Sequence, residues 1–263
     1  MEREMKNHKI KDIKVHLVSQ PITGGFADAT RKVECIGFTI VRITTEDGIE
    51  GFGVTYHEVG GEATKVMIEK NIAPKLIGRS PFETEKLWQE MFGYLRGVGR
   101  KGLMFCAYSA IDIALWDLKG RILDMPLYKM FGGTETRIPV NGSGGWTSYT
   151  DDELVEEMVG LVKDDGYTTI KFKVGVDGGM SPNRDLVRVQ KVREAVGPEI
   201  GIMLDANNCW DAATGARFAN RVKDLDILFL EEPVFADDMP GLRKYKYSTD
   251  LPLATGEHEY TKW

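Results

Sequence analysis

Three acidic residues follow three short apolar runs in the second half of the chain. Asp205, Glu231 and Glu257 stand at intervals of 26 residues, close to the length of one strand and one helix. Because the carboxyl ends of parallel strands meet at one face of an α/β barrel, we expect the three carboxylates to converge there. An all-oxygen ligand set suits Mg²⁺ first and Mn²⁺ second, and it does not suit zinc. One such acid would more simply cap a helix, but the repetition favours a site for a divalent cation.

Two lysines lie in an apolar run upstream of these acids. Alternation along a strand places Lys171 and Lys173 on one face, whereas Ile170, Phe172 and Val174 would pack under helices on the other. An interior ammonium group is costly unless it is paired or used, and two neighbouring cations each lose a proton more readily. Taken alone, the pair is more simply two solvated lysines on a surface strand. With the acids downstream, it favours an amine that removes a proton from a carbon acid, whose enolate needs positive charge nearby.

The second half of the chain supplies the elements that would position these side chains. From Arg137 onward, short apolar runs alternate with helical patterns, which predicts parallel strands joined by right-handed crossovers. The predicted strands cover 138–142, 169–174, 200–205, 227–231 and 253–257, and the predicted helices cover 151–165, 183–196, 212–225 and 238–246. A complete eight-stranded barrel needs about 200–250 residues. We therefore expect a fragment of a barrel with five strands; a sheet completed by a second chain and a differently closed α/β domain are the alternatives.

Residues 1–136 follow a different pattern. Alternation predicts strands over 11–19, 35–44 and 50–56, and the turn signal Asp47-Gly48 indicates an antiparallel meander. The glycine-led stretch 24–31 is predicted to be a loop, and helical periodicity covers 61–76, 81–94 and 102–123. Because Gly132-Gly133 interrupts the last pattern, we predict an α+β domain over 1–136 and an α/β domain over 137–263.

The composition is that of an ordinary globular protein. Of the 263 residues, 42% are hydrophobic and 28% are charged, and the net charge of −6 comes without a long basic run. This balance argues against nucleic acid as a partner. Three widely spaced cysteines argue against a disulfide scaffold, the charged start Met1–Lys6 lacks an apolar signal core, and no run is long enough to span a membrane. We expect a cytoplasmic protein without a membrane partner.

Five stretches, taken in order, resemble the enolase superfamily in its mandelate racemase and sugar-acid dehydratase branch, within the mandelate racemase/muconate lactonizing enzyme family. They are Ser109–Gly120, Lys171–Gly175, Leu204–Asn207, Leu230–Pro233 and Thr255–His258. The resemblance covers essentially the whole chain. It implies an N-terminal α+β capping domain followed by a modified (β/α)₇β barrel of the TIM type, here truncated after the fifth strand.

The resemblance also implies a role for each of the candidate site residues. Asp205, Glu231 and Glu257 would bind Mg²⁺, and only one of Glu231 and its neighbour Glu232 can face the barrel interior. Lys173 would be the base that removes the proton α to the substrate carboxylate, and Lys171 would help to stabilise the enolate.

Residues outside the lysine and carboxylate motifs would contact the substrate. The resemblance implies this role for Asn207, for Phe26 and Arg31 in the glycine-led loop, and for His57 in the cap stretch 56–58. His258 adjoins a ligand, but by alternation it is expected to point away from the interior.

The implied activity is loss of water from a sugar acid after the enolate has formed. Racemisation or epimerisation of a 2-hydroxy acid is an alternative, because relatives carry a His–Asp pair on later strands that would decide between the two. A non-catalytic truncated homologue is a further alternative. We expect a small carboxylate as substrate and a homo-oligomeric state.

Overall fold

The computed structural model of the chain describes residues 8–57 and 59–261. These residues form two compact units. The first consists of the described residues of Met1–Pro21, Cys35–Thr136 and Glu259–Trp263, and the second consists of Ile22–Glu34 and Arg137–His258. The predicted assignment gave all of 1–136 to one domain, whereas the hairpin segment 22–34 belongs to the second unit.

Within the described ranges, the sheet of the first unit contains strands β1 (Ile10–Ala27), β2 (Lys32–Thr45) and β3 (Glu50–His57), in that order. Strands β2 and β3 are antiparallel, from Gly37 opposite His57 to Thr44 opposite Glu50. Strand β1 continues to Ala27 and β2 begins at Lys32, so the predicted loop over 24–31 was wrong for 24–27 and agrees with the structure over 28–31. Gly25, at a φ of +63°, allows strands β1 and β2 to approach closely, because a side-chain carbon there would lie 3.1 Å from the carbonyl oxygen of Val33.

Helices follow the sheet in the first unit. They are α1 (Gly61–Met67), a π-helical turn (Ile68–Ile72), α2 (Ala73–Leu76), α3 (Thr84–Tyr94), α4 (Leu103–Ile122) and α5 (Leu127–Met130). Helix α4 packs directly on β3, where a side-chain carbon at Gly53 would overlap the carbonyl oxygen of Ala110. Val41, Ile43 and Leu115 are fully buried in the core between sheet and helices.

The second unit alternates strands with helices. Its strands are β4 (Gly142–Gly144), β5 (Thr169–Lys173), β6 (Gly201–Asp205), β7 (Ile227–Glu231) and β8 (Leu253–Ala254), and its helices are α6 (Asp151–Lys163), α7 (Pro182–Val196), α8 (Ala212–Val222) with a 3₁₀ turn (Lys223–Leu225), and α9 (Met239–Lys246). In the described part of the chain these strands form one sheet in sequence order, and every pair is parallel. The predicted partial barrel architecture is therefore confirmed.

The boundaries of the second unit differ from the prediction mainly at β4. The apolar residues Ile138 and Val140 suggested a strand over 138–142, but both are exposed and the strand occupies 142–144. Helix α6 begins as expected, because Thr150 and Glu153 form a reciprocal capping box at its N-terminus.

Alternation along β5 places its apolar side chains against the helices. Ile170, Phe172 and Val174 are fully buried in a core with helix residues such as Leu154 and Val189. Each such burial contributes about 1.5–3 kcal/mol, which is enough to fix the face that the strand presents. The opposite face of the sheet therefore carries Lys171 and Lys173, as the sequence predicts.

Of the helices that the structure describes, none combines the length and the apolar character that crossing a bilayer requires.

Candidate active site

The carboxyl ends of four neighbouring strands bring the predicted catalytic residues together. Lys173 on β5 lies opposite Asp205 on β6, Asp205 opposite Glu231 on β7, and Glu231 opposite Ala254 on β8. Because opposed residues of a parallel sheet point to the same side, the three charged side chains share one face. Lys171 lies two residues earlier on the same face.

The two lysines pair with the two carboxylates. The Nζ of Lys173 donates a hydrogen bond to Oδ2 of Asp205 at 2.5 Å, and Nζ of Lys171 donates to Oε2 of Glu231 and lies 4.0 Å from Oδ2 of Asp205. The Asp205 side chain is 1% exposed, whereas those of Lys173, Glu231 and Lys171 are 15%, 17% and 21% exposed. Two positive and two negative charges therefore offset one another in a cluster that is largely removed from water but still accessible.

Asn207 folds back onto Asp205. Its backbone N–H donates to Oδ1 of Asp205 at 2.9 Å, and its side-chain Nδ2 donates to Oδ2 at 3.3 Å. A φ of +42° at Asn207 permits this turn, and asparagine tolerates such a conformation better than most residues. The amide oxygen of Asn207 is buried without a hydrogen-bond partner among the described residues. Asn207 thus orients Asp205, and its contact with a substrate stays a prediction.

The third predicted ligand, Glu257, does not join Asp205 and Glu231. In the residues that the structure describes, the one group of at least three acidic, histidine or cysteine side chains whose ligand atoms lie within 4.8 Å of one another is Glu232, Glu257 and His258. The reason is the short strand β8, which pairs with β7 through Leu253 and Ala254, so that the chain beyond is not held in register with the sheet.

Glu232 turns away from the lysines, in agreement with the expectation that only one of two adjacent glutamates shares their face. Its carboxylate is buried, accepts a hydrogen bond from Nδ2 of Asn208 at 2.7 Å, and lies 3.7 Å from Nε2 of His258. Burial, and then the negative charge of Glu257, raise the pKa of Glu232 to about 7. Glu232, Glu257 and His258 thus form a second polar cluster, in which Nε2 of His258 lies 3.5 Å from Oε1 of Glu257.

An aromatic wall borders Lys173, and its central residue was not predicted. Trp146 follows β4, and its ring centroid lies 5.8 Å from Nζ of Lys173. Phe26 stacks on Trp146 with a centroid distance of 3.8 Å and an interplanar angle of 24°. Phe26 is thus linked to the lysine through Trp146. The sequence signal for Trp146 is an aromatic residue just after a strand, but the predicted strand over 138–142 ends too early to indicate it.

Arg31 and His57, the other two predicted substrate contacts, have partners within their own units. The Nε of Arg31 donates to Oδ2 of Asp28 at 3.4 Å. The ring nitrogens of His57 lie 3.1 Å from the hydroxyl of Thr39 and 3.4 Å from that of Ser19. The proposed cap position Glu58 lies outside the described residues. Roles for Arg31 and His57 toward a substrate stay predictions.

The donor chemistry of the cluster fits a hard divalent cation. Asp205 and Glu231 offer carboxylate oxygens from adjacent strands, and the unpartnered amide oxygen of Asn207 lies on a residue bonded to Asp205. Mg²⁺ prefers such oxygen ligands. Two carboxylates fit directly, whereas Glu257 would have to leave Glu232 and His258 to complete the set.

Comparison with known proteins places the chain in a family. Residues 12–132 match the sequence model of the mandelate racemase / muconate lactonizing enzyme N-terminal domain, and residues 153–263 match that of the enolase C-terminal domain-like family. The chain belongs to the enolase superfamily, in its mandelate racemase / muconate lactonizing enzyme family.

Characterised relatives include both dehydratases and racemases. L-talarate/galactarate dehydratase of Salmonella typhimurium is 32% identical over 95% of this chain and 63% of its own length. N-succinyl-L-Arg/Lys racemase of Bacillus cereus is 31% identical over 95% of this chain and 66% of its own. A solved structure of a racemase from Streptomyces coelicolor with bound magnesium is similar with a TM-score of 0.90, at 32% identity, over 95% of this chain and 69% of that one. This chain thus spans about two thirds of the length of its relatives.

Proposed function

We propose that this chain carries the proton-abstracting part of a Mg²⁺-dependent sugar-acid dehydratase. The observation that carries the proposal is the cluster in which Lys171 and Lys173 meet Asp205 and Glu231 on one face of parallel strands. Such a cluster has the charges that an enolate next to a carboxylate needs. Membership of a family that contains L-talarate/galactarate dehydratase supports a polyhydroxylated acid as the substrate class.

The proposed reaction begins with removal of the proton α to the substrate carboxylate by Nζ of Lys173. Lys173 acts as a base in its neutral form, so the hydrogen bond that it donates to Asp205 must be replaced when the substrate binds. Lys171 lies two residues before Lys173 on β5 and is paired with Glu231. It keeps its ammonium group near the developing negative charge. A divalent cation held by Asp205, Glu231 and Glu257 would neutralise the carboxylate of the substrate and so lower the energy of the enolate.

The aromatic wall supports this step by limiting access of water. The stacked rings of Phe26 and Trp146 border Lys173 on one side. Excluding water strengthens every charge interaction within the cluster. Departure of the β-hydroxyl as water also needs a proton donor, and we assign that step to no residue of the described ranges.

Racemisation or epimerisation of a 2-hydroxy acid at the same carbon is the second candidate. Inversion at the α-carbon, though not the 2-hydroxy acid as its substrate, is supported by the similarity to N-succinyl-L-Arg/Lys racemase and to the magnesium-bound racemase. Both candidates share the first step, removal of the α-proton, and differ in whether the enolate loses water or is reprotonated on its other face.

Exchange of the α-proton with solvent tests the shared step. The chain is incubated in D₂O with Mg²⁺ and a panel of aldonates, aldarates and simple 2-hydroxy acids, and loss of the α-proton signal is followed by ¹H NMR. We expect exchange, reduced by at least about 10³-fold in Lys173→Met, because general-base catalysis and orientation are lost together. Lys163→Met, on an exposed part of helix α6, is the matched control.

The outcomes separate the three hypotheses. Exchange accompanied by a 2-keto-3-deoxy product supports dehydration, and exchange with inversion alone supports racemisation. Exchange that survives in Lys173→Met contradicts the role of that lysine. No exchange of any acid in the panel favours a non-catalytic homologue.

A further inference from the structure

Helix α7 buries two charged side chains, one turn apart, directly behind the candidate site. Asp185 and Arg188 are both fully buried, and Arg188 is one of the largest fully buried side chains among the described residues. Burying a charge costs several kcal/mol unless its partners are well placed, and an apolar pair of similar volume is often at least as stable. The contacts of Asp185 and Arg188 must therefore offset the cost of burying their charges.

Asp185 fixes the chain immediately after the strand that carries the lysines. Its Oδ1 accepts hydrogen bonds from the backbone N–H groups of Gly175, at 3.0 Å, and Val176, at 3.2 Å. Gly175 adopts a φ of +92° and is packed tightly, since a side-chain carbon there would lie 2.6 Å from Sγ of Cys209. Asp185 thus sets the direction in which the chain leaves β5, two residues after Lys173.

Arg188 fixes the loop that carries the aromatic wall. Its Nη1 donates to the carbonyl oxygen of Tyr149 at 2.7 Å, and its Nη2 donates to that of Trp146 at 2.9 Å. Both acceptors are backbone atoms, so the guanidinium group holds the course of the loop and not a particular side chain. A planar group with fixed donors is well suited to hold two carbonyls at once.

Neither charged side chain has all of its polar atoms satisfied. Oδ2 of Asp185 and Nε of Arg188 are buried without hydrogen-bond partners in the described structure. Burial raises the pKa of Asp185 to about 6, against the opposing effect of those two backbone hydrogen bonds. The two side chains attract each other electrostatically but form no direct hydrogen bond in the described structure, and Nη1 of Arg188 also lies 3.7 Å from Oδ1 of Asp151. Their well-formed hydrogen bonds go to the two loops.

We propose that Asp185 and Arg188 are positioning residues that, through helix α7, hold the Trp146 loop and the end of β5 at a fixed separation. They would thereby set the distance between the aromatic wall and Nζ of Lys173, and with it the placement of the substrate α-carbon against the base. The catalytic consequence rests on the proposed function, whereas the positioning of the loops does not.

Fluorine NMR of the chain labelled with 5-fluorotryptophan tests the positioning. Trp146 reports on the first loop, and Trp210 reports on the second because its Nε1–H donates to the carbonyl oxygen of Gly179 at 2.9 Å. Trp88, in the core of the first unit, monitors folding. The three signals are assigned with single Trp→Phe variants.

The variants are Arg188→Met, Arg188→Lys and Asp185→Ala, with Arg184→Met, an exposed position on the same helix, as the matched control. We expect the Trp146 signal to move in Arg188→Met and to move less in Arg188→Lys, which retains one donor group. Asp185→Ala should move the Trp210 signal, and Arg184→Met should move neither. Trp146 and Trp210 signals that stay at their wild-type positions in these variants would overturn the proposal. If Arg188→Met does not fold, Arg188→Lys decides in the same way.

The exchange assay adds a catalytic readout. Since displacement of a base by about 1 Å costs on the order of 100-fold in rate, Arg188→Lys should lower kcat for α-proton exchange by about 10-fold to 100-fold and change KM little. A rise in KM as large as the fall in kcat would contradict the positioning role. Absence of exchange in the wild-type chain refutes the proposed function and leaves the NMR result to decide the role of the pair.

Discussion

Removing both members of the Lys173–Asp205 pair should destabilise the second unit by less than the sum of the two single removals. The Asp205 side chain is 1% exposed and that of Lys173 is 15% exposed, with 2.5 Å between Nζ and Oδ2. Breaking a buried pair typically costs about 3–5 kcal/mol, because one charge is left without compensation. Lys171 lies 4.0 Å from the same carboxylate oxygen and partly compensates, so we expect about 2–4 kcal/mol for each single variant.

A double-mutant cycle isolates the pairwise part of this energy. The variants are Asp205→Asn, Lys173→Met and the double variant, compared by urea unfolding followed with far-UV circular dichroism. We expect a coupling energy of about 2 kcal/mol. The double variant should therefore lose about 2 kcal/mol less stability than the two single variants lose together. Stability is measured without substrate, so the result does not depend on activity.

A second pair in the same unit provides the control. Lys32 and Glu34 are 3.2 Å apart, but their side chains are 59% and 75% exposed. An exposed pair of this kind should show a coupling of no more than about 0.5 kcal/mol. If the Lys173–Asp205 coupling is as small as that of Lys32–Glu34, the two residues are not a buried ion pair and the reasoning about the site fails.

Three further predictions concern the metal site, the packing of the first unit and the effect of pH. Glu257→Gln should weaken the apparent affinity for Mg²⁺ by at least about 10-fold, as judged from melting temperature against metal concentration. Unchanged affinity would exclude Glu257 as a ligand. Gly53→Ala should destabilise the first unit by about 1–3 kcal/mol in urea unfolding, because the methyl group overlaps Ala110. Gly93→Ala, in open space on helix α3, should be neutral or stabilising by about 0.5–1 kcal/mol. The opposite order would contradict the close packing of β3 on α4. Burial, and then the charge of a neighbouring glutamate, raise the pKa of Asp112 to about 6, so its protonated form is favoured in the folded chain and its contribution is lost as the pH rises from about 4 through about 6. Between pH 4 and pH 7 the wild type should therefore lose about 1–2 kcal/mol relative to Asp112→Asn, and parallel stability curves for the two proteins would refute the shift.

The sheet of the second unit could be predicted because several independent features agree on it. The apolar residues Ile170, Phe172 and Val174 must all face the helices, and a strand has only two faces. That requirement alone orients Lys171 and Lys173. Their partners follow from the parallel register, which brings equivalent strand ends together.

The remaining parts of the site depend on tertiary contacts that leave little local trace. Trp146 follows a strand of three residues, Gly-Ser-Gly, which has no apolar alternation to detect. Glu257 lies beyond a strand of two residues, so the register of the sheet does not set its position, and it lies beside Glu232 and His258 instead. Arg188 occupies a helix with many charged residues, where a buried arginine cannot be distinguished from its exposed neighbours by pattern alone.

The hairpin segment 22–34 has a consequence for how such chains exchange parts during evolution. It carries Phe26, which stacks on Trp146, yet more than 100 residues of the first unit separate the two in the chain. A single genetic crossover near residue 136 would transfer the lysines, the carboxylates and Trp146 from one parent while retaining Phe26 from the other. The reacting groups would then be inherited as a block, and one half of the aromatic wall would be inherited separately. Recombination at this boundary would therefore vary the shape of the site while leaving its charged groups intact.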